Sequence, residues 1–133
     1  MHDFCELNYP ELVALLEEKG EKGYHARQLI DWVYNKGVLD WESMSNLSKE
    51  LRQKLPTFLA LPTLQLVRIQ DSTDLETYKF LWKLRDGSLV ESVLICSGAR
   101  RTVCVSSQVG CPAKCAFCAS GKNGFKRNLR PAE

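Results

Sequence analysis

The sequence has 133 residues, of which 44% are hydrophobic and 26% are charged, and this composition excludes a disordered tail. The length allows one core, or a small domain followed by the start of a second. The sequence contains no apolar run near the roughly 20 residues of a membrane span, and its first residues do not resemble a signal peptide. We therefore expect a cytoplasmic protein with reduced thiols and without membrane attachment.

The charge is unevenly distributed along the chain. Residues 1–99 carry 11 Lys and Arg against 15 Asp and Glu, a net charge of −4, whereas residues 100–133 carry 7 against 1, a net charge of +6. This distribution predicts that a polyanionic partner is attracted to the C-terminal end, the alternative being a solvated basic loop. The candidate phosphate contacts are Lys114, Lys122, Lys126, Arg127 and Arg130.

The first 55 residues are predicted to form short helices. Asn8 followed by Glu11, with Pro10 between them, indicates a helix start, and Gly20 indicates its end. Apolar residues at helical spacing predict a second helix over residues 25–35.

A third, shorter helix is predicted to follow Ser48, which can cap it, and to end at Pro56. Residues 56–62 have a proline at each end and cannot continue a helix, so we expect the domain linker there.

Beyond the linker the apolar period changes from helical to alternating, which predicts strands. Asp86 and Gly87 supply a turn between two of them, so a hairpin is expected. The last strand is expected to lead directly into a cysteine-containing loop. The predicted strands are residues 64–69, 78–84, 89–96 and 102–108.

Cys111, Cys115 and Cys118 follow the last predicted strand at Cys-x-x-x-Cys-x-x-Cys spacing. Three thiolates in one tight loop can ligate three corners of a [4Fe-4S] cluster and leave one iron open for S-adenosylmethionine. Gly110 suits the sharp turn into the loop, and Phe117 is expected to form an apolar wall beside the cluster. The main alternative is a structural zinc site, which would need a fourth ligand such as Cys104.

The sequence around these cysteines resembles the RlmN/Cfr family of radical SAM RNA methyltransferases. The resemblance is carried by residues 101–111, residues 115–118 and residues 124–129, and more weakly by residues 24–34 in the helical part. It implies methylation of adenine C2 in 23S rRNA and tRNA, as in RlmN, with the Cfr-type C8 reaction as the alternative. It also implies a flavodoxin- or ferredoxin-type electron donor. We also expect the protein to be a monomer.

Two further residues are given roles by the resemblance. Glu91 lies in a segment that is apolar on both sides, so we expect its carboxylate to be partly buried, and the family places a proton-accepting glutamate there. Cys104 shares a predicted face with Thr102, Ser106 and Gln108. The family's matching cysteine resolves the methylated intermediate through a transient disulfide with a second, methyl-carrying cysteine.

The predicted fold class is α+β, beginning with a helical accessory RNA-binding domain over residues 1–58. A small antiparallel β extension over residues 59–98 follows, and residues 99–133 are expected to begin a radical SAM (β/α) barrel. A complete barrel needs about 200 residues, so the sequence predicts a truncated chain that is inactive alone. A non-enzymatic RNA-binding or zinc module is the alternative from another class.

Overall fold

A computed structural model describes residues 1–74, 76–113, 115–122 and 124–133. Its helices and strands form two units, Met1–Thr63 and Leu64–Pro131, the second of which also includes Glu133. The chain therefore combines helices and sheets, in agreement with the predicted α+β class. Within the described residues the elements are β1 (His2–Asp3), α1 (Tyr9–Glu18), α2 (His25–Ile30), α3 (Lys49–Lys54), β2 (Leu59–Ala60), β3 (Gln65–Asp71), β4 (Thr77–Lys83), β5 (Leu89–Ser97), β6 (Arg100–Val105), β7 (Gln108–Gly110) and β8 (Phe125–Asn128).

A capping box starts α1. The Glu11 backbone N–H donates to the Asn8 side-chain oxygen at 3.0 Å, and the Asn8 N–H donates to the Glu11 carboxylate at 2.8 Å. Pro10 lies in the first turn, where an N–H would have no intrahelical partner. Gly20, with φ of 77°, follows the last turn in the left-handed conformation that favours glycine. The predicted start and end of this helix are confirmed.

The second predicted helix spans the expected residues but changes its winding. It begins as α2 and continues as a π-helical turn over Asp31–Asn35. The Lys36 N–H closes that turn by donating to the Asp31 carbonyl five residues earlier, at 3.1 Å. In the third helix, Ser48 caps α3 as predicted, accepting from the Leu51 N–H at 3.2 Å. Among the described helices, none has the length and apolar character needed to cross a bilayer.

The expected linker over residues 56–62 is instead part of the first unit. Phe58, Leu59 and Leu61 are buried in its core, and β2 pairs in parallel with β1. The α-helix does end before the first proline, and a 3-10 turn and the strand β2 follow. Burial of the three apolar side chains nevertheless holds this segment in the first unit, because it removes their apolar surface from water. The boundary between the two units consequently follows Thr63.

One core serves the whole first unit. It is built from the apolar faces of the three helices together with the segments that connect them, which fixes the helices against one another. Its buried members are Phe4, Leu12, Leu15, Leu16, Ala26, Leu29, Val33, Met44, Leu47, Leu51, Leu55, Phe58, Leu59 and Leu61.

The second unit is based on an antiparallel meander in which β3, β4, β5 and β6 are neighbours in chain order. The predicted turn between β4 and β5 is confirmed. Gly87 has φ of 80°, and the Leu84 N–H donates to the Ser88 carbonyl at 2.8 Å, which closes the hairpin. A small apolar cluster of Leu84, Val90 and Val109 lies beneath this turn.

The single strand predicted over residues 102–108 is wrong, because the structure divides it into two strands. The first, β6, is the last strand of the meander, whereas β7 pairs with β8 in a separate two-stranded sheet. Between them the Ser106 hydroxyl donates to the Glu91 carbonyl at 2.8 Å, and the Ser107 carbonyl accepts from the Leu129 N–H at 2.9 Å. These bonds satisfy the backbone where the meander ends. A (β/α) barrel would begin a helix after the cysteine loop, whereas this structure has the strand β8 there.

Candidate functional site

The three candidate ligands lie in one loop that the β7–β8 hairpin closes. Cys111 follows β7 directly, and its N–H donates to the Gly124 carbonyl at 3.2 Å, across the base of the loop. Inside the loop the Cys118 N–H donates to the Cys115 carbonyl at 3.1 Å, which forms a tight turn between these two cysteines. Cys115 is exposed, whereas Cys111 and Cys118 are partly exposed, and none of the three forms a disulfide with another described cysteine.

The base of this loop requires glycine at position 110. Gly110 has φ of 74°, and a Cβ placed on it would lie 1.8 Å from the Gly124 carbonyl oxygen, far inside any allowed contact. No side chain can be accommodated there unless the two strands separate. The sharp turn predicted at Gly110 is therefore observed, with a reason that the sequence did not show.

The donor set of the loop suits an iron–sulfur cluster better than the alternative zinc site. Three thiols on one loop match the ligand number of a cubane with one open corner. Cys104, the suggested fourth zinc ligand, lies on β6 in the sheet and not in the loop. Within the described residues, no three His, Cys, Asp or Glu side chains converge as a ready metal site. The fit therefore rests on ligand chemistry and on the closed loop.

Phe117 is 93% exposed in this structure. Its expected role as an apolar wall beside a cluster therefore stays a prediction.

Glu91 is also more exposed than expected. Its side chain is 53% exposed, and its carboxylate forms an ion pair with Lys79 on the neighbouring strand at 3.2 Å. The prediction of a partly buried carboxylate is wrong, because apolar neighbours along β5 do not cover a residue whose sheet face is open. An ion pair at this exposure contributes little to stability, so it orients the carboxylate more than it stabilises the fold.

The strand register places Glu91 and Cys104 on one face of the sheet. Cys104 lies opposite Val93, and Glu91 lies two residues before Val93, so the two share a face and are diagonal neighbours on β5 and β6. Thr102, opposite Ile95, lies on the same face. The predicted grouping of Cys104 with Thr102 therefore agrees with the register. Sequence alternation alone did not reveal that Glu91 joins them.

A cavity of about 780 Å³ brings Glu91 and the cysteine loop together. Its walls come from the start of β5, the end of β6, β7 and the two ends of the loop. Glu91, Cys111 and Lys126 contribute a carboxylate, a thiol and an amine to one lining. Cys104, Cys115, Cys118 and Phe117 lie outside this lining. The cavity thus joins only two of the predicted site residues.

Two of the cations assigned to phosphate are already bound within the protein. Lys126 donates to the Ser88 hydroxyl at 3.1 Å, and Arg127 forms ion pairs with Asp86 at 3.0 Å and Glu133 at 2.6 Å. Sequence reasoning missed these contacts, since Asp86 was interpreted only as a turn residue. Lys114, another predicted contact, lies outside the described residues.

These contacts perturb the charges involved. The Ser88 N–H, followed by Arg127, lowers the pKa of Asp86 to about 2. Arg127 lowers the pKa of Glu133, and that carboxylate in turn raises the pKa of Arg127. All three groups therefore stay ionised at neutral pH.

Comparison with known proteins agrees with the resemblance found in the sequence. Residues 2–61 match the family described as ribosomal RNA large subunit methyltransferase N-terminal domain. The chain is 63% identical over 131 residues to the probable dual-specificity RNA methyltransferase RlmN 2 of Protochlamydia amoebophila. It is 45% identical over 133 residues to the corresponding RlmN of a Thermotoga species. The chain is therefore similar to RlmN proteins over nearly its whole length.

The similarity extends to three dimensions. A crystal structure of a radical SAM methyltransferase from Sphaerobacter thermophilus is 41% identical and matches 97% of this chain with a TM-score of 0.90. This chain covers 38% of that protein. The match with the Protochlamydia relative spans 98% of this chain but 37% of the relative, and the match with the Thermotoga relative spans all of this chain but 39% of the relative. The chain therefore spans well under half the length of these relatives.

Proposed function

We propose that this chain belongs to a radical SAM RNA methyltransferase of the RlmN type, which methylates C2 of adenine in 23S rRNA and tRNA. The observation that carries the proposal is the closed loop with its three cysteines, next to a cavity that Glu91 also lines. The names of the similar proteins support RNA as the substrate and radical SAM chemistry as the reaction class. They also favour the RlmN reaction over the Cfr-type C8 reaction.

In this proposal Cys111, Cys115 and Cys118 hold a [4Fe-4S] cluster as thiolates, and S-adenosylmethionine binds beside it. When bound, the cluster supplies the electron that cleaves S-adenosylmethionine. The residues of the chain contribute the ligand geometry. The Gly110–Gly124 approach sets the width of the loop, and the turn from Cys115 to Cys118 brings the backbones of these two cysteines together.

Glu91 and Cys104 are proposed as the catalytic pair that acts on RNA. Glu91 would accept a proton from the modified adenine, for which an ionised and accessible carboxylate is needed. Lys79 orients that carboxylate at 3.2 Å. Cys104 would resolve the methylated intermediate as a thiolate, and its exposure on the face of Glu91 is compatible with this role. In the family, its partner in the transient disulfide is the methyl-carrying cysteine, which belongs to the part of those proteins that this chain does not span.

The proposed partners and location follow from the same chemistry. RNA is the substrate, a flavodoxin- or ferredoxin-type protein supplies electrons, and the chain acts as a monomer. A reducing cytoplasm would keep the six cysteines out of disulfides, and the described cysteines form none with one another.

Anaerobic reconstitution with iron and sulfide tests the cluster assignment directly. We expect a brown protein with about four irons per chain, and loss of that iron when Cys111, Cys115 or Cys118 is replaced by Ala. The matched control is Cys104→Ala, which removes a thiol of the same unit and should retain full iron. Stoichiometric zinc without sulfide would overturn the proposal in favour of a zinc module, and iron loss in the control would make Cys104 a ligand.

A further inference from the structure

Two consecutive cations of β8 bind the turn between β4 and β5. The Lys126 ammonium donates to the Ser88 hydroxyl at 3.1 Å, and Ser88 is only 5% exposed. Next to it, the Arg127 guanidinium donates from Nε to the Asp86 carboxylate at 3.0 Å. Both contacts link residues about 40 positions apart, so they connect segments that the sequence does not place together.

Arg127 is held from its other side by Glu133. Its Nη1 and Nη2 donate to the two oxygens of the Glu133 carboxylate at 2.6 and 2.7 Å. This is the bidentate geometry that guanidinium and carboxylate groups favour. The Glu133 side chain is 8% exposed, which protects the pair from water. Arg127 is therefore fixed between two carboxylates.

The turn that Arg127 binds is itself rigid. The Ser88 N–H donates to the Asp86 carboxylate at 2.9 Å, and the Gly87 N–H donates to the Leu84 carbonyl at 3.0 Å. Leu84 is also buried in the apolar cluster beneath the turn. Arg127 therefore contacts a part of the meander that hydrogen bonds and apolar packing hold in place.

Both segments joined by these contacts lead into the candidate site. Ser88 lies three residues before Glu91 on the strand that lines the cavity, and Lys126 lies two residues after Gly124 at the base of the cysteine loop. Ser88, Glu91, Gly124 and Lys126 all line the same cavity. The contacts of β8 therefore set the distance between the loop and the strand of Glu91.

We infer that Arg127 is a positioning residue that fixes the cysteine loop against the strand carrying Glu91. The structural part of this inference stands on the contacts alone, and its catalytic meaning rests on the proposed function. Phosphate binding by Arg127 would require both carboxylates to be released. Arg127 is therefore not one of the RNA-binding cations, although the sequence predicted it as one.

Amide hydrogen exchange of the metal-free chain tests the inference without a cluster. Arg127→Gln should make the amides of Cys111 and Leu129 exchange about tenfold faster, because those amides bridge the base of the loop. Amides in the pairing of β3 with β4 should not change. Arg127→Lys, which can keep one ion pair but not the bidentate geometry, should give an intermediate rate. The control Arg68→Gln makes the same charge change on an exposed strand of this unit and should leave the loop unaffected.

Iron release to a chelator from the reconstituted chain gives a second readout. Arg127→Gln should release iron several-fold faster than the unmodified protein, whereas Arg68→Gln should not. If Arg127→Gln does not fold, Asp86→Asn removes one of its two partners and should show the same local effect. Unchanged exchange at Cys111 and Leu129, or equal acceleration throughout the unit, would overturn the inference. Accelerated exchange at these two amides in a chain that binds no iron would uphold it while refuting the proposed cluster.

Discussion

Replacing Gly110 by Ala should open the base of the cysteine loop. A Cβ at this position would lie 1.8 Å from the Gly124 carbonyl oxygen, whereas real Cβ contacts are essentially never below 3.0 Å. The two strands must therefore separate by more than 1 Å. That movement breaks the hydrogen bond from the Cys111 N–H to Gly124, whose 3.2 Å length leaves little tolerance.

The expected cost has two parts. A non-glycine residue in the left-handed conformation costs about 1–2 kcal/mol, and the lost hydrogen bond costs roughly another 1 kcal/mol. The total for Gly110→Ala is therefore about 2–3 kcal/mol, before any cost of strand separation. Gly124→Ala is the matched control. Its φ of 68° imposes the same backbone strain, but a Cβ there would have no described atom of a non-neighbouring residue within 4 Å. Only the cost of the left-handed conformation therefore applies to Gly124→Ala.

Amide exchange followed by NMR measures both variants locally, which matters because the two units need not unfold together. Cys111 should lose protection much more strongly in Gly110→Ala than in Gly124→Ala, and iron retention after reconstitution should follow the same order. Equal loss of protection in the two variants would refute the reasoning, since it would show that backbone strain and not the close approach governs this position.

Three other predictions concern the cap, the turn and the basic residues. Asn8→Ala should reduce the free energy of unfolding of the first unit by about 1 kcal/mol, measured by urea denaturation, since it removes the capping box; an unchanged midpoint would contradict this. The pKa of Asp86 is lowered to about 2, so its stabilising effect is present above about pH 4 and is lost as the pH falls toward 2. Loop amides should lose protection in that window, and Asp86→Asn should reduce the pH dependence to the part that Glu133 contributes. RNA binding by this chain should be weak and fall steeply between low and moderate salt, measured by fluorescence anisotropy, and salt-independent affinity would contradict an interaction based on phosphate contacts.

Features encoded in short sequence windows could be predicted. The Asn8 and Glu11 cap, the turn at Gly87 and the alternation in β4 each depend on residues a few positions apart, and all are present in the structure. The spacing of the three loop cysteines likewise predicted one loop, although it did not show how the loop is closed.

Features that depend on distant segments could not be predicted. The pairing of Arg127 with Asp86 joins residues 41 positions apart. From the sequence, Arg127 was predicted only as a positively charged phosphate contact. Alternation along β5 indicated the face of Glu91 but not whether anything covers that face, so its burial was overestimated. The segment containing Leu59 was interpreted from its prolines, whereas its pairing with β1 depends on the opposite end of the unit.

The pairing of β1 with β2 makes the first unit a closed module. Its two ends lie side by side, because His2 is opposite Leu59 and Asp3 is opposite Ala60. A short peptide linker could therefore join them, and new termini could be opened in an exposed turn such as the one at Gly20. Circular permutation of this unit should preserve its core, while deletion of the first three residues should leave the Leu59 and Ala60 backbone without its strand partner. The first residues of this protein are accordingly part of its structure, and a tag should be attached only ahead of them.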